Sequence, residues 1–196
     1  MLLVNKMRIV VAGIPGVGKT SVVTQTVEVA RKSGLKVEHL VFGSVMMEEA
    51  RRLGITDRDA IRNLPIVDQR ELQTSAARKI AKVEADVLFV DTHLFIKSSE
   101  GYWPGLPGNA LSTLSPTNLI LVEASPKEIV ARRTNDISRG RDLGTEKEVS
   151  DELSIARNML CAAATLSGAP MMFVQNGDGC LNEAAMTITR GTGLKS

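Results

Sequence analysis

Aromatic residues are scarce in this chain: one Trp, one Tyr and four Phe among 196 residues. An extended surface for stacking single-stranded bases needs more of them. Cysteine is as sparse. Cys161 and Cys180 form no C-x-x-C and no metal-ligand spacing, which argues against a disulfide framework and a structural zinc site. Both read as small inert hydrophobes. No apolar run approaches the roughly 18–20 residues that a membrane span requires. An excess of one charge is missing too: 24 Lys+Arg against 22 Asp+Glu leaves +2, little for a dedicated DNA binder. Near the start, Lys6 and Arg8 interrupt the apolar stretch and no A-x-A site follows, so it does not read as a secretory signal. A reducing, cytoplasmic setting is expected.

What is present is the composition of a folded chain, 43% hydrophobic and 23% charged, of a length that suits one domain, 1–196, with small insertions. Short apolar runs alternate with helical patterns. Arg8–Ala12, Val37–Phe42, Val87–Asp91, Leu119–Glu123 and Met171–Val174 read as strands. Their continuous apolar character is what a parallel sheet covered on both faces requires. Leu72, Ala76, Ile80 and Val83 mark one helix face; Leu153, Ala156, Met159, Leu160 and Ala163 mark another. Pro126 suits the first turn of a helix beginning after Ser125. The expected fold is α/β: a doubly wound, five-stranded parallel sheet with helices on both faces, and ligands at the C-terminal ends of its strands. Residues 43–70 form a helix-rich insert that reads as a substrate flap. Residues 135–147 are polar, glycine-containing and charged, and read as a short lid.

The chemistry-bearing motif is Gly13-Ile14-Pro15-Gly16-Val17-Gly18-Lys19-Thr20, which fits G-x-x-x-x-G-K-[ST] in full, between an apolar strand and the helical pattern Ser21–Arg31. Glycines let the backbone curl until successive N–H groups converge on phosphate oxygens, and the helix N-terminus adds its positive dipole end. Lys19 is placed to bridge β- and γ-phosphates, and the Thr20 hydroxyl to coordinate Mg²⁺. Asp91, ending its strand, can hold a Mg²⁺-bound water. A nucleoside triphosphate is the expected ligand. No N-K-x-D base-reading motif follows, which argues against a GTPase. Arg132 and Arg133, Arg139 and Arg141 in the lid, and Arg157 are cations of the kind that close over a transferring phosphoryl group.

With these motifs in view, the sequence resembles the archaeal-type adenylate kinases, P-loop nucleoside monophosphate kinases. The resemblance runs from Met7 through GIPGVGKT, FGSVMMEEA, DRDAIRNL, FVDTH, GYWPGLP and the RR…SRGRD segment to the helix carrying Arg157. It implies transfer of the γ-phosphoryl of MgATP to AMP, giving two ADP. It implies that residues 13–21, Ser21 included, cradle the ATP phosphates, that Arg132 packs near the adenine, and that Arg139 and Arg141 clamp the phosphates as catalytic cations with Lys19. On the acceptor side it implies that Arg58 and Arg62 hold the AMP phosphate. His93, Gly105, Leu106 and Arg157 join the same site, and Asp91, Thr92 and the 101–107 loop line the cleft. The resemblance implies a homo-oligomer, a trimer, for which the apolar C-terminal helix reads equally as an interface and as a core helix. No membrane or nucleic-acid partner is expected.

Some positions depart from the pattern or stay open. Met47 stands where many bacterial relatives carry the arginine of G-D-M-L-R, so Arg58 or Arg62 must supply that charge. His93 reads equally as an AMP contact and as a packing residue, and Trp103 equally as a base wall with Tyr102 and as a plug. His39 reads as structural, and Asn176-Gly177 as a tight turn, either plain or offering backbone groups to an adenine. Lys19→Ala is expected to abolish turnover and leave the fold intact. Two rival readings remain: another monophosphate as acceptor, and a non-catalytic, nucleotide-gated factor that binds RNA or protein.

Overall fold

The computed structural model describes residues 6–57, 60, 61, 63–98, 101–135 and 144–194. Strand β1 (Met7–Ala12) leads through a loop into helix α1 (Lys19–Lys32), followed by β2 (Val37–Val41), α2 (Phe42–Arg52), α3 (Ile66–Ala81) and β3 (Val87–Thr92). A short hairpin, β4 (Phe95–Ser98) and β5 (Gly101–Pro104), precedes α4 (Gly108–Leu114). Then come β6 (Asn118–Glu123), α5 (Pro126–Asn135), α6 (Glu146–Ser167), β7 (Met171–Gln175) and α7 (Leu181–Gly191).

All five expected strands form one parallel sheet in the order β2-β3-β1-β6-β7. The central strands are apolar on both sides because helices cover both faces. Ile9, Val10, Val11 and Ala12 are fully buried, as are Leu119 to Val122. Helices α1 and α7 pack together on one side; α3, α4 and α6 form a separate packed group with α2 and α5. Chain order reverses between β3, β1 and β6. The ligand crevice of such a sheet therefore opens beyond the ends of these strands, where the Gly13–Thr20 loop, Asp91 and Glu123 lie.

Local chemistry sets the helix starts. Helix α5 begins at Pro126, and its Ser125 and Glu128 cap each other: Glu128 N–H donates to Ser125 Oγ at 3.3 Å, and Ser125 N–H to Glu128 Oε2 at 3.0 Å. Thr145 and Glu148 do the same for α6. Helix α1 is different. Its N-cap is Gly18, which supplies no side chain, and its first turn holds no acid. Its leading N–H groups are thus left to an external anion.

Two details differ from the sequence reading. Phe42 opens α2 instead of closing β2, so strand and helix meet with no connecting turn. Its buried ring belongs to the main core from the helical position, and an apolar residue at such a junction suits either element. The GYWP segment, read as loop, is the second strand of the β4–β5 hairpin. Phe95 and Tyr102 pair edge-to-face there at 5.1 Å, and Gln73 Nε2 on α3 donates to Pro104 O at 3.0 Å. Within the expected insert 43–70, α2 packs on α3 through a second apolar cluster of Met47, Ala50, Ile61 and Leu72. No helix among the described residues is long and apolar enough to cross a membrane.

Candidate active site

The loop between β1 and α1 takes the shape its glycines permit. Gly16 and Gly18 have φ of 91° and 76°, in the left-handed region that a side chain disfavours. Ile14 and Val17 turn their side chains inward, 4% and 0% exposed, and anchor the loop to the core.

β1 pairs with β3 in register, so Val11 stands beside Asp91 and Ala12 beside Thr92. This brings Asp91 to the start of α1. Lys19 is ion-paired with Asp91, and both side chains are buried. Thr20 Oγ1 donates to Asp91 Oδ2 at 3.3 Å. An exposed hydroxyl beside a buried carboxylate at the phosphate loop is a hard-oxygen donor set of the kind Mg²⁺ takes, open to an incoming ion. These residues fit the metal that a nucleoside triphosphate brings.

Around this centre, neighbouring elements hold the loop. His93 follows β3, and its Nδ1 donates to Gly13 O at 2.8 Å. Because a carbonyl only accepts, that ring nitrogen carries the proton. Gly105 packs against the His93 backbone so closely that a Cβ there would stand 2.1 Å from His93 O. Leu106 is buried in the main core. On the other flank, Arg132 donates to Asn176 O at 3.0 Å and pairs with Asp178 at 2.6 Å, while Asn176 Nδ2 donates to Val17 O at 2.8 Å. Glu128 Oε1 accepts the Asp178 N–H at 2.7 Å. Hydrogen bonds from the Ser125 side chain first, then from the Asp178 and Ser125 backbones, hold the Glu128 carboxyl down to about 2.

Arg157 on α6 grips the end of β6. Its Nε and Nη2 donate to the two oxygens of Glu123 at 2.6 and 3.1 Å, and Gln175 Nε2 donates to the same carboxylate at 3.0 Å. Glu123 is 2% exposed, whereas half of the Arg157 side chain faces solvent. The hydrogen bonds it donates to Glu123 push the guanidinium pKa above its already high value.

The structure thus gathers the Gly13–Thr20 loop, Asp91, His93, Gly105 and Arg132 around the C-terminal ends of β1 and β3, with Arg157 at the end of β6 beside them. Ser21 is exposed on the first turn of α1. Arg58, Arg62, Arg139 and Arg141 lie outside the described residues. Arg133, read among the phosphate-closing cations, instead turns under the loop: Nε donates to Pro15 O at 2.9 Å and Nη2 to Glu152 Oε2 at 2.7 Å. Sequence reading gave no role to Glu123, Gln175 and Asp178, which follow apolar runs, or to Glu152, one of several acids early in a helix. It also placed Asn176 in a turn without foreseeing its buried amide. His39 on β2 keeps a buried Nε2 that has no hydrogen-bond partner among the described residues. Burial, then Lys19 and Arg31, push its pKa down. Both cysteines are free thiols, Cys161 exposed and Cys180 half-buried.

A five-stranded parallel sheet with a phosphate loop after its first strand, and an acid facing that loop from the adjacent strand, defines a P-loop domain of the kinase type. Solved structures of this shape include shikimate kinase from Acinetobacter baumannii in complex with shikimate (TM-score 0.61, 16% identity, 97% of each chain covered). Shikimate kinase from Aquifex aeolicus is another (TM-score 0.56, 18% identity, 97% of this chain and 100% of that one). A family model described as an AAA domain matches residues 12–150. Among curated proteins, the adenylate kinase of Methanopyrus kandleri is 42% identical over 180 residues, 90% of this chain and 92% of that protein. The adenylate kinase of Methanocaldococcus jannaschii is 36% identical over 186 residues, covering 94% and 96%. The chain belongs to the archaeal-type adenylate kinase family.

Proposed function

We propose that this chain transfers the γ-phosphoryl group of MgATP reversibly to AMP, yielding two ADP, and that it does so by positioning and charge neutralisation alone. It is an adenylate kinase, an ATP:AMP phosphotransferase. The observation that carries the reading is the junction of buried Lys19 and Asp91 with the exposed Thr20 hydroxyl at the mouth of the glycine loop. Phosphoryl transfer leaves little covalent work for the protein; it needs fixed cations and amides where charge develops.

On the donor side, Gly13 to Ser21 cradle the triphosphate and Arg132 lies against the adenine, braced by Asp178 and the Asn176 carbonyl. Lys19 neutralises the transferring group together with Arg139 and Arg141 of the 135–147 lid. Thr20 and, through water, Asp91 would hold Mg²⁺, which would supply positive charge to the triphosphate when bound. On the acceptor side, AMP lies between the 43–70 flap and the 101–107 loop. Arg58 and Arg62 take its phosphate, and His93, Gly105 and Leu106 line the cleft. Arg157, aimed by Glu123, reaches the phosphates from α6. The α2–α3 cluster of Met47, Ala50, Ile61 and Leu72 gives the flap apolar packing of its own beside the main core. Flap and lid closure exclude water, so that the phosphoryl group passes to AMP rather than to solvent. The protein works in the cytoplasm, as a homo-oligomer and, by its family, a trimer.

Incubation of purified protein with MgATP and each of AMP, GMP, CMP and UMP, with product separation, tests this. ADP formed in the AMP reaction alone is expected. Transfer to another monophosphate reassigns the acceptor pocket. ATP binding without transfer to any acceptor overturns the enzyme reading in favour of a nucleotide-gated binding protein.

A further inference from the structure

A loop can direct its N–H groups at a phosphate only if its carbonyls face the other way, because each planar trans peptide sets C=O and N–H in opposite directions. The carbonyls of Gly13, Pro15 and Val17 belong to the peptides whose N–H groups are those of Ile14, Gly16 and Gly18. Each of the three is taken by a side chain from a different element. His93 Nδ1 holds Gly13 O at 2.8 Å, Arg133 Nε holds Pro15 O at 2.9 Å, and Asn176 Nδ2 holds Val17 O at 2.8 Å. Three alternate carbonyls are clamped outward, and the amides of their peptides thereby face the other way.

The middle clamp differs from the others. The Arg133 side chain is 8% exposed and its partner Glu152 11%. A buried guanidinium is costly to keep, and nothing in the transfer step uses its charge. Its fork is divided: Nε serves the loop, and Nη2 serves Glu152 at 2.7 Å. Glu152 fixes the guanidinium plane, and the plane fixes Pro15 O. Gly16, the residue whose amide is aimed, has φ of 91°, and a Cβ there would stand 3.1 Å from Arg133 Cγ. The loop therefore packs closely on the Arg133 stem at this glycine.

We infer that Arg133, oriented by Glu152, is a positioning residue for the donor triphosphate: it acts through the Pro15 carbonyl to aim the Gly16 amide at phosphate. The inference rests on the reading of the loop as the ATP site. A lysine in its place keeps the charge but cannot serve carbonyl and carboxylate with one planar fork.

The test compares wild-type full-length chain with Arg133→Lys and Glu152→Gln. It measures KM for ATP and for AMP, inhibition by inorganic tripolyphosphate, and the unfolding midpoint with and without ATP. Loss of one clamped amide is expected to raise KM for ATP and weaken tripolyphosphate inhibition roughly tenfold in Arg133→Lys. Glu152→Gln shifts both the same way by less, and KM for AMP stays within about twofold in either variant. A lowered midpoint with unchanged KM for ATP and unchanged tripolyphosphate inhibition overturns the inference, since that is what a merely structural pair would give. Should Arg133→Lys fail to fold, Glu152→Gln carries the same comparison: unchanged donor constants in it overturn the inference. Failure of the wild type itself to bind ATP would instead remove the reading of the loop, which separates the two failures.

Discussion

Lys19 and Asp91 form a buried ion pair between the first turn of α1 and the C-terminal end of β3, with side chains 7% and 3% exposed. Removing one partner of such a pair leaves the other buried and uncompensated, a cost of about 3–5 kcal/mol. Lys19→Ala is therefore expected to lose nearly all turnover and also to unfold at distinctly lower denaturant concentration, contrary to the intact fold that the sequence suggests. Combining it with Asp91→Asn removes the orphaned charge. The double variant regains much of the stability and none of the activity. Equilibrium unfolding of the three proteins beside their turnover checks this.

Arg157 spans the same crevice from the other side through both oxygens of Glu123. A lysine keeps the positive charge and loses the two-pronged grip. Arg157→Lys is expected to lower kcat by about a hundredfold, the scale for one preorganised donor, with little change in KM for ATP. Steady-state kinetics with AMP saturating reads it.

Gly105 lies against backbone, not against a movable side chain: a Cβ there would meet His93 O at 2.1 Å and His93 C at 3.0 Å. Gly105→Ala must therefore displace the 101–107 loop from the end of β3. A loss of about 1–3 kcal/mol in stability is expected, as for overpacked sites. The rise in KM is expected to be larger for AMP than for ATP, because Gly105 lies against His93 and Leu94, and His93 in turn meets the donor loop at Gly13 O.

Acid should act through Glu128. Its carboxyl is held at about 2 against an ordinary 4.5, so over that interval the unfolded chain binds more protons than the folded one. The contribution of Glu128 is fully present above the unfolded value and is lost as pH falls from about 4.5 through about 2. Glu128→Gln is expected to flatten the loss of stability across this window and to leave its slope above it unchanged. Unfolding midpoints measured in steps down the acid range decide the matter.

Much of this arrangement could be read from local pattern. The strands are continuous apolar runs because both sheet faces are covered, and the loop is legible because amide convergence needs glycines at fixed spacing. Asp91 was visible as an acid ending such a run. What escaped depends on partners far along the chain. Phe42 is apolar and serves strand or helix equally well until its packing is known. The β4–β5 ladder is only four residues long, and its Phe95–Tyr102 contact is tertiary. Arg133 and Arg132 are adjacent and chemically identical, yet one turns to Pro15 and Glu152 and the other to Asn176 and Asp178. No spacing rule separates them; only the position of α6 and of the loop after β7 does.

The most direct measurement follows the fate of the γ-phosphoryl group itself. ATP radiolabelled at that phosphate is mixed with AMP, Mg²⁺ and purified protein, and the products are separated. The account predicts that the label appears in the β-position of ADP newly made from AMP, with negligible label in inorganic phosphate. Label released chiefly as inorganic phosphate, with AMP unchanged, would show that water and not AMP is the acceptor, and would contradict it.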